Sequence, residues 1–89
     1  MSDVEVHLPP TLRPLFPGMT RTERVDAATV DDALQQLEKR YPGLRDRVCE
    51  PGPRLRPHIN VYVNRERGDL TSPLPPQARV DVIAAISGG

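Results

Sequence analysis

Aromatic side chains are scarce in this 89-residue chain. Phe16, Tyr41 and Tyr62 are all there are, and tryptophan is absent. With 37% hydrophobic residues, there is material for one compact core and none to spare for an internal pocket that would hold a drug-sized ligand. Cys49 is the sole cysteine, which excludes an internal disulfide and argues against a cysteine-based metal site. Neither charge is in excess, because twelve basic and twelve acidic residues cancel. A concentrated basic face of the kind that holds nucleic acid is therefore not expected. No apolar run approaches the roughly 18 residues of a membrane span. The opening Met1-Ser2-Asp3-Val4-Glu5 has neither the basic nor the apolar region of a signal peptide. The expectation is a cytoplasmic, single-domain protein whose partners are other proteins or small molecules, with no nucleic acid and no membrane.

What is present reads as alternating strand and helix patterns. Val4, Val6 and Leu8 alternate with Glu5 and His7, as in a half-buried strand that ends at Pro9-Pro10. A loop through Pro17-Gly18 leads to a second, polar-sided strand over 20–25, suited to a sheet edge. Thr29 can cap a helix whose first turn holds Asp31 and Asp32, favoured at the positive end of the helix dipole. Val30, Ala33, Leu34, Leu37 and Tyr41 then share one face, and Pro42-Gly43 ends the helix. A short helical turn is predicted over 44–49. Ile59, Val61 and Val63 mark a third strand, 65–68 a turn, and Asp69-Leu70 the start of a brief fourth strand. The last strand runs over 79–85, with Val80, Val82 and Ala84 inward and Asp81, Ile83 and Ala85 outward. One helix against strands before and after it predicts an α+β layer: a β-grasp mixed sheet of four to five strands, the main helix on one face.

Most chemistry-bearing motifs are missing. There is no phosphate-cradling loop, no HExxH, no CxxC and no nucleophile elbow. His7 and His58 could be neighbours on the outer sheet face, but two histidines without a third ligand make a poor metal site, and no metal is predicted. Cys49 reads as a small core residue rather than a reactive thiol. Arg67-Gly68-Asp69 reads as a plain turn, and the two PxxP-like stretches, 14–17 and 73–76, as loop punctuation.

The end of the sequence is different: Ile83-Ala84-Ala85-Ile86-Ser87-Gly88-Gly89. A terminal glycine pair arises by chance in roughly 0.5% of chains, at ~7% glycine usage. Here the pair follows the final strand of the expected β-grasp with one or two residues between. Three stretches carry a wider likeness: Pro10-Thr11-Leu12-Arg13-Pro14, then Ile59-Asn60-Val61-Tyr62-Val63-Asn64, then Val80-Asp81-Val82-Ile83 leading to Gly88-Gly89. On these the chain resembles the ThiS/MoaD family of ubiquitin-like sulfur carriers over nearly its whole length, and CysO-type carriers in particular. Ala84-Ala85 stand where the family carries prolines.

The resemblance implies that the chain is a protein substrate and sulfur carrier, not an enzyme, and binds no cofactor. An E1-like adenylyltransferase of the MoeB/ThiF/MoeZ type would use ATP and Mg to adenylate the Gly89 carboxylate. Sulfur from a rhodanese or desulfurase would then displace AMP, giving a thiocarboxylate. An acceptor synthase, such as a PLP-dependent cysteine synthase, would take the sulfur for cysteine or another metabolite. Gly88 and Gly89 suit a narrow enzyme channel because they lack Cβ. The division expected is a domain over 1–86 and a mobile Ser87-Gly88-Gly89 tail, with Ser87 qualified mainly by its small size. His7, Tyr62, Ile83 and Ala85, with Ile86 and Ser87 beside the tail, form the candidate docking patch. Two alternatives share the fold. One is a ubiquitin-like modifier forming isopeptides through Gly89; the other is a β-grasp binding module whose glycine pair is coincidental.

Overall fold

The computed structural model describes residues 3–84. Strand β1 (Asp3–His7) pairs antiparallel with β2 (Thr22–Asp26) on one side. On its other side it pairs in parallel with the last strand, β7 (Arg79–Ala84). Between these come helix α1 (Val30–Arg40), helix α2 (Leu44–Val48) and a small ribbon of β3 (Cys49–Glu50) with β4 (Arg54–Leu55). Strands β5 (Ile59–Val63) and β6 (Glu66–Gly68) form the far hairpin. The order across the main sheet is β2-β1-β7-β5-β6, the mixed five-stranded β-grasp arrangement, with α1 on one face.

The helix forms as its sequence demands. Thr29 has an extended backbone, and its hydroxyl accepts from the Asp32 N–H at 3.1 Å. Asp32 answers by accepting from the Ala28 N–H at 3.1 Å, so two donors at the helix start are satisfied reciprocally. Val30, Ala33, Leu34 and Leu37 are buried against Val4, Val6, Val61, Val80 and Val82 from the sheet. Removing any of these large side chains from water is worth about 1.5–3 kcal/mol. Gly43, at φ 97°, turns the chain out of α1 in a conformation that costs other residues strain. Its N–H and that of Arg45 both donate to the Glu38 carboxylate at 2.8 Å, so a side chain of α1 caps α2.

The long connection from β1 to β2 is not a loose loop. Residues 13–15 form a 3₁₀ turn, and Leu12, Phe16 and Met19 are buried, with Phe16 edge-on to Tyr41. Beneath it lies the one buried charged side chain among the described residues, Glu23. Its carboxylate accepts from the Thr20 N–H at 2.9 Å, the Thr20 hydroxyl at 2.8 Å, the Tyr41 hydroxyl at 2.7 Å and Arg40 at 3.2 Å. Burial alone would raise its pKa. These donors outweigh burial and hold it below the usual 4.5. The edge strand is thereby bolted to the end of α1.

Two expectations about the far hairpin require correction. The turn is Asn64-Arg65, not 65–68, since Val63 pairs with Glu66 and only two residues intervene. Both have positive φ, 49° and 74°, the mirror-image turn that matches strand twist. Arg67 and Gly68 are consequently strand residues rather than a turn. Asp69 and Leu70 form no strand: the Asp69 carboxylate accepts from the Thr71 N–H and hydroxyl, curling the chain, and Leu70 drops into the core. The β3–β4 ribbon within the expected loop was not foreseen.

Candidate functional site

The site is built on β7. It is a central strand, flanked by β1 and β5, with five residue pairs to β5 running from Val63↔Val80 to Ile59↔Ala84. Val80 and Val82 are buried, so the strand is also pinned from beneath. Ala84, the last residue of this strand, is therefore held in the middle of the sheet. Ala85, Ile86, Ser87, Gly88 and Gly89 lie outside the described residues, as do the expectation of a mobile tail and the proposed domain limit at 86.

On the outer face, Ile83 is 48% exposed and sits opposite Asn60, whose side-chain oxygen accepts from Arg67 at 2.9 Å. One step back along β7, Asp81 lies opposite both His7 and Tyr62, separating them. Arg79 holds Asp81 through Nε and Nη2 at about 3.0 Å. His7 is half-buried, with Nε2 3.3 Å from a Glu5 carboxylate oxygen and Nδ1 3.4 Å from the Thr22 hydroxyl. The face carrying His7, Tyr62 and Ile83 is thus mixed and partly charged.

His58 is not a neighbour of His7. It lies in the turn before β5, exposed, and the two histidines line different grooves. Among the described residues, no group of three or more His, Cys, Asp or Glu could hold a metal ion. Cys49 is buried, and that burial pushes its thiol above the usual 9.0, away from the reactive thiolate.

Two grooves flank the end of β7, and Ala84 lines both. One, of about 720 Å³, runs past Leu12, Leu15, Arg47, Arg56 and His58. The other, of about 390 Å³, runs past His7, Pro10, Arg13, Arg21, Arg79 and Ile83. Leu15, 49% exposed, and Ile83 are the exposed large hydrophobic residues of the described chain. Sequence reasoning treated Arg13 and Leu15 as loop. The available signal was the Pro10-Thr11-Leu12-Arg13-Pro14 stretch, whose Thr11 and Leu12 line one groove and Pro10 and Arg13 the other.

The ThiS family matches residues 6–89 of this chain. The chain belongs to the ThiS family. Sulfur carrier protein CysO of Mycobacterium tuberculosis is 28% identical over 93 residues, covering 98% of this chain and 99% of that protein. The matching chain in the crystal structure of the Amycolatopsis orientalis BexX/CysO complex superposes with a TM-score of 0.87 at 29% identity, covering 97% and 99%. Small archaeal modifier protein 1 of Haloferax volcanii superposes with a TM-score of 0.79 at 31% identity, covering 97% and 100%. In this ThiS-family β-grasp, as in its CysO relatives, the small ubiquitin-like body is of the sulfur-carrier kind. No helix among the described residues is long and apolar enough to cross a membrane.

Proposed function

We propose that this ThiS-family protein carries sulfur as a thiocarboxylate on Gly89, in the cytoplasm, as the substrate of partner enzymes rather than as a catalyst. A carboxylate oxygen of Gly89 attacks the α-phosphorus of ATP in an E1-like adenylyltransferase, and pyrophosphate leaves. The terminal sulfur of a persulfide on a rhodanese or desulfurase then attacks the acyl carbon, AMP departs, and a thiol cleaves the resulting acyl disulfide, leaving the thiocarboxylate on Gly89 and a disulfide with the donor cysteine. The α-carboxyl group is ionised at neutral pH, with a pKa of ~3.3–3.7, so it meets the first step as a nucleophile. Adenylation replaces a poor leaving group by a good one, and the product sulfur is itself nucleophilic toward an acceptor synthase of the cysteine-synthase kind.

The observation that carries this reading is the family match through residue 89 combined with the position of β7. A central strand ends at Ala84, five residues before Gly89. Gly88 and Gly89 fit a channel that a Cβ would obstruct. Ile83, Tyr62 and His7, with Ala85, Ile86 and Ser87, are assigned to partner docking. Isopeptide formation through Gly89 is the second reading, and the likeness to small archaeal modifier protein 1 favours it. Both share the activation step. Removal of Gly89 should abolish ATP-dependent pyrophosphate release by the activating enzyme while leaving the thermal melt unchanged. Undiminished release by the shortened chain would refute the proposal.

A further inference from the structure

Net charge is zero over the whole chain, yet it is not evenly placed. The two grooves alongside β7 hold five arginines, Arg13, Arg21, Arg47, Arg56 and, at the strand's start, Arg79, against two aspartates, Asp46 and Asp81. Asp81 is already taken by Arg79, and Asp46 is engaged only through its carbonyl, by Arg56 Nε at 2.8 Å. Arg13, Arg21 and Arg47 have no carboxylate partner among the described residues. Arg13 Nε is, in addition, buried without a hydrogen-bond acceptor, as is Arg45 Nε outside these grooves. A buried donor left unsatisfied is uncommon in folded proteins and calls for an acceptor from outside. Some charges elsewhere are paired internally, Arg24 with Asp3 and Glu5 on the main sheet and Arg54 with Glu50 in the β3–β4 ribbon, while Arg67 donates to Asn60 rather than to a carboxylate.

From this segregation we infer that the exit of the tail is a basic collar, and that its occupant is an acidic surface at the mouth of a partner enzyme's channel. The inference rests on the carrier reading for the partner's class, but on the collar's charge alone for its chemistry. Leu15 and Ile83, one in each groove, supply the apolar anchors. The arginines supply orientation and a faster encounter, since complementary fields raise association rates and set register more than they add affinity. The collar lies on both sides of β7, so a partner that engages it must align its channel with the strand. Arginine suits the task because its planar fork pairs with carboxylates in a fixed geometry.

The test needs no activation of Gly89, so its outcome is independent of the sulfur chemistry. Isotope-labelled full-length protein is titrated with a hexaglutamate peptide at low salt and followed by amide NMR, with hexalysine as the control and AMP as a separate ligand. Hexaglutamate should shift residues 13, 21, 47, 56 and 79 together, and the effect should fade at high salt. Combined Arg13→Glu and Arg21→Glu should weaken peptide binding on the order of tenfold or more, whereas Arg65→Glu, in the exposed far turn, should leave it within about twofold. Thermal melts of both variants verify that they fold. Shifts spread evenly over all arginines, or equal losses in both variants, would overturn the collar. Tighter binding of AMP than of the peptide at the same residues would overturn it in favour of a nucleotide site.

Discussion

Glu23→Gln keeps the shape of the most enclosed charged side chain described and removes only its charge. Glu23 is 7% exposed and accepts from Thr20, Tyr41 and Arg40. A glutamine presents one oxygen and one NH₂ to a ring of donors, so at least one donor faces another. Hydrogen bonds to a charged group are worth about 1.5–3 kcal/mol, and part of that loss is returned because a neutral amide is cheaper to bury. A net cost of about 2 kcal/mol follows. For a domain of this size that corresponds to a fall in melting temperature of roughly 8–16 °C at neutral pH. The pH dependence provides the sharper check. The carboxyl is held below its usual 4.5, so its contribution is complete above that value and is lost as pH falls through the lower folded-state pKa. The gap between parent and variant should therefore close in acid. Glu38 is also held low, chiefly by the Gly43 and Arg45 N–H groups, so the parent weakens in acid for that reason too. The gap, not the parent's own melt, is the quantity to read, by calorimetry from neutral pH down to about pH 3. Unchanged melting at neutral pH, or a gap that persists into acid, would refute the reasoning.

Ile83→Asp should leave the melting temperature nearly unchanged, since the side chain is 48% exposed and surface changes cost about ±0.5 kcal/mol. The same change should weaken binding to the activating enzyme by about 2 kcal/mol or more in a calorimetric titration, and unaltered binding would place the docking surface elsewhere. Arg65→Gly should stabilise the fold by about 0.5–1 kcal/mol, because φ of 74° is natural for glycine and strained for arginine. A lower denaturation midpoint would mean that the turn is not of the mirror-image type.

The legible parts of the molecule were those in which local pattern and burial coincide. Thr29 as cap, the Val30–Leu37 face, and the inward Val80 and Val82 follow from side-chain periodicity, and Ile83 must then face outward. The Asn64-Arg65 turn was hidden because arginine replaces the glycine that normally advertises it. The β3–β4 ribbon lies among Pro51, Gly52 and Pro53, whose local reading is loop. Glu23 gave no sign of burial, because its partners come from Thr20, Arg40 and Tyr41, and no local pattern shows that those groups converge. The same holds for the candidate site. The terminal glycines were visible as a motif, but the collar depends on the 3₁₀ turn, the approach to β2, α2 and β7 placing Arg13, Arg21, Arg47 and Arg79 along the two grooves, which only the topology does.

The carrier reading stands on the fate of one carboxylate. Intact-mass analysis of the full chain after incubation with an E1-like enzyme, ATP and a sulfur donor addresses it directly, with fragmentation to locate any change. The expected result is replacement of one oxygen by sulfur at Gly89, dependent on ATP and reversed on delivery to an acceptor. An unchanged mass under conditions where the same enzyme activates CysO, or a Gly89 found joined to lysine side chains instead, would contradict it.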